Sequence, residues 1–192
     1  MLDNLRTSLA AVFAYIGRGA SKAIPNPTAW TALGLLLAAL AAALFARGAP
    51  LEAGLALAGS GFLDIVDGAV ARATGRTSQT GAFLDSTLDR VSEVLIYLGI
   101  LVGGLASPPL VLVALSLSLL VSYARAKGDA LGVSLAGVGI GERSERLVVL
   151  IVAALAGAVW LGVAVVLVLA LVTFVQRAVR VTGALAKREA PA

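Results

Sequence analysis

Asp64 and Asp67 stand three residues apart, and Asp85 and Asp89 stand four apart. On a helix either spacing puts both carboxylates on one face. Glu93 lies a further four residues along; it reads as a supporting or structural group. Oxygen-rich clusters of this kind suit hard divalent cations such as Mg2+ or Mn2+. The chain has no His and no Cys. That excludes Ser-His and Cys-His nucleophilic pairs, and it leaves zinc, haem and iron–sulfur centres without their usual ligands. Any catalysis must run on Asp, Glu, Lys, Arg, Ser, Thr or Tyr. The competing reading of the four acids is ion pairing with Arg72, Arg76, Arg90 or Arg125. Pairing accounts for part of the charge but not for the clustering of all four.

The bilayer sets the elements that carry these acids. Of 192 residues, 59% are hydrophobic and only 14% charged, and the mean hydropathy is +0.98. A soluble domain is typically about 25% charged, so a soluble globular protein and a disordered chain are both disfavoured. The expected fold is an all-α integral membrane protein of six transmembrane helices. Four spans read directly: Ala29 to Ala46, Leu51 to Ala71, Gly81 to Leu105 and Leu110 to Ala126. The apolar run from Leu147 to Val175 is long for one span and short for two. It splits near Trp160-Leu161-Gly162, with flanks borrowed from Glu145 and up to Val181.

Basic residues favour the cytoplasmic side of short loops. With six spans, one side collects Arg18, Lys22, Arg72, Arg76, Arg125, Lys127, Arg143, Arg146, Arg177 and the basic tail; the other has only Arg47. A multi-pass protein with both termini and the active site cytoplasmic follows. Leu2, Leu5, Leu9, Val12, Phe13 and Ile16 recur at helical spacing. Residues 1–23 therefore read as an amphipathic helix on the membrane surface rather than a cleaved signal. The alternative is a helix packed on its own protein. The net charge of +4 fits contact with anionic membrane lipids, and nothing beyond basicity points to nucleic acid. One domain over 1–192 is expected, with the bundle at 29–185.

Depth brings the acids together. At 1.5 Å per residue, Asp64 and Asp67 lie roughly 20 and 24 Å beyond Leu51, and Asp85 and Asp89 roughly 6 and 12 Å beyond Gly81. The short connection between the two helices makes them neighbours, so the pairs meet at one level in the cytoplasmic third. An Asp at the centre of a membrane helix costs about 2.5–3.5 kcal/mol, and bound cations would neutralise them. Gly68 and Gly81 beside the acids read as points of close ligand approach. Gly99, Gly103 and Gly104 read as helix packing.

The segment DIVDGAVARATGRTSQTGAFLDSTLD resembles the signature of the CDP-alcohol phosphotransferase family, D-x2-D-G-x2-A-R-x8-G-x3-D-x3-D. Asp64, Asp67, Gly68, Ala71, Arg72, Gly81, Asp85 and Asp89 fill every fixed position. The resemblance implies six membrane helices and a homodimer. It also implies transfer of a phosphate-linked group from a CDP-linked lipid donor to a hydroxyl, with release of CMP. Asp64, Asp67, Asp85 and Asp89 would bind two Mg2+ or Mn2+ ions per active site, with Asp89 also the general base. Gly68, Ala71, Arg72, Ser78 and Gly81 would contact the CDP part. The element PTAWT matches the family's P-x-x-x-T, which adds Thr28, Ala29, Trp30 and Thr31 to the CDP-lipid site.

Arg125, Lys127, Arg143, Arg146 and Arg177 lie on the same side of the membrane as the acids. Clustered cations suit an acceptor that carries phosphate; positive-inside bias explains many of them equally well. The stretches SYARAKGD, ERSERL and VQR resemble the subgroup that makes phosphatidylinositol phosphate or archaetidylinositol phosphate. That resemblance implies myo-inositol phosphate as the acceptor. Arg125, Arg143 and Arg177 would hold its phosphate, with Lys127 and Arg146 nearby. The same chemistry with glycerol phosphate or serine is the first alternative. A cation transporter is the second; such sites usually lie at the midplane between inverted repeats, and no repeat is evident.

Overall fold

A computed structural model describes residues 14–189, and every regular element among them is a helix. A short helix, α1, covers 14–23. It is followed by α2 (Pro27–Ala46), α3 (Pro50–Thr74), α4 (Gln79–Val102), α5 (Pro108–Ala130), α6 (Arg143–Leu155) and α7 (Val159–Glu189). Proline opens α2, α3 and α5, where its missing N–H costs nothing and its fixed φ suits a first turn. Asn26 caps α2 by accepting from Thr28 N at 3.1 Å. Gly75 ends α3 with φ of 65°, a left-handed conformation that glycine takes without strain.

Helices α2, α3, α5 and α7 are long and apolar enough to cross a membrane. Their outward faces carry Leu36, Leu55, Leu112 and Val168, all more than half exposed. The core they enclose is narrow and rich in alanine, with Ala38, Ala41, Ala53 and Ala114 fully buried. An apolar outside over a small-residue inside is what lipid solvation allows and water forbids. Helix α4 is long enough, at 24 residues, but it carries Asp85, Asp89, Arg90 and Glu93. Helix α6 has 13 residues, roughly 20 Å at 1.5 Å each, which falls short of a core about 30 Å thick.

Three expectations shift. The break in the last apolar run falls at Ala156–Ala158, not at Trp160–Gly162. Gly157 is the cause: it turns with φ of 70°, and Ala158 N donates back to Ala153 O at 2.8 Å. Gly162 instead lies inside α7, where a Cβ would collide with Ala153 of α6. Helix α7 runs on to Glu189 rather than stopping near Val181. Among the three glycines read as packing sites, Gly99 and Gly103 press on the backbone of Ala42 and Phe45 in α2. Gly104 does not; it takes φ of 64° with open space around it, and so serves the turn after α4.

The residues carrying most of the N-terminal apolar stripe, Leu2, Leu5, Leu9, Val12 and Phe13, lie outside the described residues. In α1 itself, Gly17 is buried, and a Cβ there would overlap the Ala69 carbonyl of α3. This part of the segment is therefore seated on protein, at a residue two positions from Asp67.

Candidate active site

Helices α2, α3 and α4 bring three of the acids to one wall. Asp67 is 6% exposed, and Thr31 Oγ1 donates to its Oδ2 at 2.8 Å. The P-x-x-x-T element thus meets the Asp motif directly. Asp64 lies one turn back on α3, against α2 at Gly34, where a Cβ would come within 3.1 Å of its Oδ1. Asp85 faces both from α4. Asp64, Asp67 and Asp85 are close enough to repel one another, and Asp89 repels Asp64 and Asp85.

Two cavities flank this group. The first, about 310 Å3, is lined by Asp67 and Asp85 together with Thr28, Thr31, Gly68, Ala71, Ser78 and Gly81. Its floor is shaped by the turn between α3 and α4, where Ser78 caps α4 by accepting from Gly81 N at 3.0 Å. Of the residues expected to bind CDP-lipid, Ala29 and Trp30 do not reach the wall. Trp30 Nε1 donates to Ile24 O at 3.0 Å instead, which ties α1 to α2. Arg72 is exposed at the rim, its guanidinium folded over Gly68. Asn26 and Arg76 also line the cavity and were not expected in the CDP-lipid site from sequence. Arg76 reaches across the turn to Pro25 O at 3.4 Å, a contact spanning 51 residues that no local pattern signals.

The second cavity, about 170 Å3, lies between α4, α5, α6 and α7. Asp89 opens onto it, as do Arg125, Arg143, Arg146 and Arg177. Lys127 does not; it is exposed elsewhere on α5. The four arginines are not equivalent. Arg177 is 2% exposed, and all its nitrogens are spent: Nε on Val138 O, Nη1 on Val121 O and Nη2 on Glu142 Oε1, at 2.9, 2.8 and 3.1 Å. Arg146 is equally buried and pairs with Glu93 Oε1 at 3.0 Å and Gly141 O at 2.8 Å. Both are thus anchored by protein acceptors, and of Arg146 only Nε is left without a partner. Arg125 is the most open, with side-chain exposure of 45%, and approaches Glu142 only at 3.8 Å. Glu142, invisible from sequence except as part of ERSER, holds Arg125 and Arg177 side by side.

Arg143 joins the two sides. Its Nη1 donates to Asp64 Oδ2 at 2.8 Å and its Nη2 meets Asp89 Oδ1 at 2.9 Å. Asp89 also takes Arg90 at 3.2 Å. So the acids are partly ion-paired, but with Arg143 and Arg90 rather than with Arg72, Arg76 or Arg125. Among the described residues no three carboxylates converge within coordinating reach of one point as drawn. The donor chemistry nonetheless fits a hard cation: four carboxylates on two helices, each repelled by at least two of the others, with no nitrogen or sulfur ligand among them. A cation ligated by Asp64 and Asp89 would take over the charge that Arg143 now balances.

The chain is 38% identical to the archaetidylinositol phosphate synthase of Pyrococcus horikoshii over 92% of its own length and 94% of the relative's. It is 43% identical to that of Methanothermobacter thermautotrophicus over 79% and 80%. The fold is similar to the Mycobacterium tuberculosis phosphatidylinositol phosphate synthase (PgsA1) with CDP-DAG bound, at a TM-score of 0.78 and 29% identity, covering 89% of this chain and 94% of that one. A second structure of the same protein, in complex with manganese and citrate, matches at a TM-score of 0.77 with 28% identity over 88% of each chain. Residues 23–175 match the CDP-alcohol phosphatidyltransferase family, and with the Asp motif seated between two cavities at the level of the turn, the chain is an enzyme belonging to that family.

Proposed function

We propose that this enzyme moves a phosphatidyl or archaetidyl group from a CDP-linked lipid to a hydroxyl of myo-inositol phosphate and releases CMP. The observation that carries the reading is the placement of Asp89. It opens onto the arginine pocket, while its neighbours Asp67 and Asp85 line the cavity on the other side. A donor in the first cavity and an acceptor in the second would meet at the acids.

The larger cavity suits a nucleotide: Thr28, Thr31 and Ser78 offer hydroxyls, Gly68 and Gly81 allow close approach, and Arg72 and Arg76 stand at the pyrophosphate end. The arginine pocket suits a phosphomonoester, with Arg125 and Arg143 as the forks able to turn to it. Asp64, Asp67, Asp85 and Asp89 would hold two Mg2+ or Mn2+ ions, which when bound neutralise the phosphoryl oxygens and the departing CMP. Thr31 fixes the Asp67 carboxylate for this task. Asp89 accepts the proton of the acceptor hydroxyl as its oxygen bonds to the lipid-bearing phosphorus. The bond from that phosphorus to the bridging oxygen breaks, and the pair leaves with CMP. No side chain in the first cavity is a strong nucleophile, which favours a single direct displacement.

The whole chain acts as one domain with six spans. Helix α4 completes the bundle with its acids turned inward, and α6 with Arg146 buried and Arg143 half-buried. Both termini and both cavities lie on the cytoplasmic side, because the basic residues collect there. We also propose a homodimer, on the family resemblance. The test is CMP release by purified protein with Mg2+ and a CDP-lipid, offered myo-inositol phosphate, free inositol, glycerol phosphate and serine. Release with inositol phosphate alone, lost in Asp89→Asn, is expected. Release with glycerol phosphate or serine instead would keep the chemistry and overturn the acceptor.

A further inference from the structure

Asp85, Asp89, Glu93 and Tyr97 follow one another at intervals of four along α4, and Arg143, Arg146 and Leu150 face them from α6. The two helices are not a closely packed pair, so long side chains bridge the gap in rungs. The upper rung is Asp89 with Arg143, at 2.9 Å; the lower is Glu93 with Arg146, at 3.0 Å. Water access falls along the ladder, from 18% and 22% exposed side chains to 9% and 2%, and Tyr97 below is 1% exposed.

Three atoms at the lower rung have no hydrogen-bond partner in the chain: Glu93 Oε2, Arg146 Nε and the Tyr97 hydroxyl. Leaving such groups dry is costly, more so for charged ones. All three residues line one small cavity of about 10 Å3, closed by Ile96 and Leu150. A water needs roughly 10–15 Å3 of such space and two to four polar partners. The three atoms are chemically complementary to it. Glu93 Oε2 only accepts, Arg146 Nε only donates, and the Tyr97 hydroxyl does either.

We propose that this cavity is a binding site for a single structural water. It donates to Glu93 Oε2, accepts from Arg146 Nε–H, and makes its third bond with the Tyr97 hydroxyl. The water fills the gap that the separated helices leave and completes the buried Glu93–Arg146 pair. Arg143 borders the same cavity from above, so the water lies directly beneath the rung that contains Asp89.

Tyr97→Phe tests the site by the sign of its effect. Deleting a hydroxyl that bonds a water lowers the melting temperature, here by about 2–4 °C for one lost bond. Deleting a hydroxyl that sits unpaired in a dry void leaves the melting temperature unchanged or raises it, and that result overturns the proposal. Ser118 stands within side-chain hydrogen-bonding reach of Tyr97, and its own Oγ is likewise unpartnered, so the substitution is repeated in Ser118→Ala. The drop is expected to persist there; its disappearance would show that Ser118 is the hydroxyl's partner and overturn the assignment. An experimental structure that resolves ordered water is expected to show a peak within hydrogen-bond reach of all three atoms. An empty cavity, or direct contact between Glu93 Oε2 and Tyr97, overturns the site whatever the melting result.

Discussion

The cavity beside Asp67 and Asp85 is walled by hydroxyls, glycines and one guanidinium, whereas the cavity beside Asp89 holds five guanidiniums against two carboxylates. The first is assembled from two short stretches, Asn26 to Thr31 and Asp67 to Asp85. The second draws residues from four helices and the end of a loop. The difference follows what each would hold. A nucleotide is recognised by shape and by many weak neutral contacts, which one turn and two helix faces can supply. A phosphomonoester needs concentrated positive charge, and like charges repel unless acids are threaded among them. Glu142 and Glu93 do that threading: they anchor Arg177 and Arg146, Asp64 and Asp89 take Arg143, and Arg125 is left the most open.

The strongest way to break this comparison is to remove Asp89, the acid that opens onto the arginine pocket. Asp89→Asn keeps the volume and deletes the proposed base and one proposed oxygen ligand. CMP release is expected to fall about 10²–10⁴-fold, the usual range for loss of a general base, with little change in melting temperature. Near-normal turnover would move the proton transfer elsewhere and detach Asp89 from both cavities.

Arg143→Gln comes next, because Arg143 bridges Asp64 and Asp89 while lining the arginine pocket. A hydrogen bond to a charged group is worth about 1.5–3 kcal/mol, so the KM for inositol phosphate is expected to rise roughly 10- to 100-fold. Mn2+ binding, followed by titration calorimetry, is expected to tighten in the same variant, since the carboxylates lose a competing cation. Weaker Mn2+ binding together with an unchanged acceptor KM would mean that Arg143 belongs to the scaffold alone.

Two milder substitutions separate the sides. Arg125→Gln is expected to raise the KM for inositol phosphate about tenfold and leave the CDP-lipid KM unchanged, as befits the most exposed fork of the pocket. Thr31→Val removes the bond to Asp67 at 2.8 Å, worth about 1 kcal/mol, and is expected to weaken Mn2+ binding or raise the CDP-lipid KM roughly fivefold without touching the acceptor. If each change moved both KM values together, the two cavities would be one site.

The first side was largely legible before any coordinates, and the second only in part. Spacings of three and four residues announce shared helix faces, and the gap from Asp67 to Asp85 is short enough to force adjacency. Thr31 followed from its motif alone; its bond to Asp67 spans 36 residues. The arginines could be counted, but not sorted. Whether a guanidinium is free or spent depends on carbonyls at Val121, Val138 and Gly141, and backbone acceptors carry no sequence signature. The break between α6 and α7 was misplaced for a related reason. Trp160 and Gly162 look like an interfacial turn, yet Gly157 reaches the left-handed conformation first and Gly162 is needed for packing against Ala153.

Lys127 gives the smallest expected effect and the sharpest limit on the arginine pocket. It stands two residues beyond Arg125 on α5, and at 3.6 residues per turn that separation is about 200° around the helix. Arg125 lines the pocket, so Lys127 points away from it and is exposed. Its charge can act on a bound phosphate only through solvent, where screening over a Debye length of about 8–10 Å removes most of the interaction. Lys127→Ala is therefore expected to leave the KM for inositol phosphate within about twofold at physiological salt, with the small residual shift vanishing as salt is raised. A tenfold rise that persists at high salt would place the ammonium in direct contact with the acceptor. That contact requires α5 to turn or unwind near Lys127 when the acceptor binds, and the pocket between α4, α5, α6 and α7 would then be an open form of the site rather than its working shape.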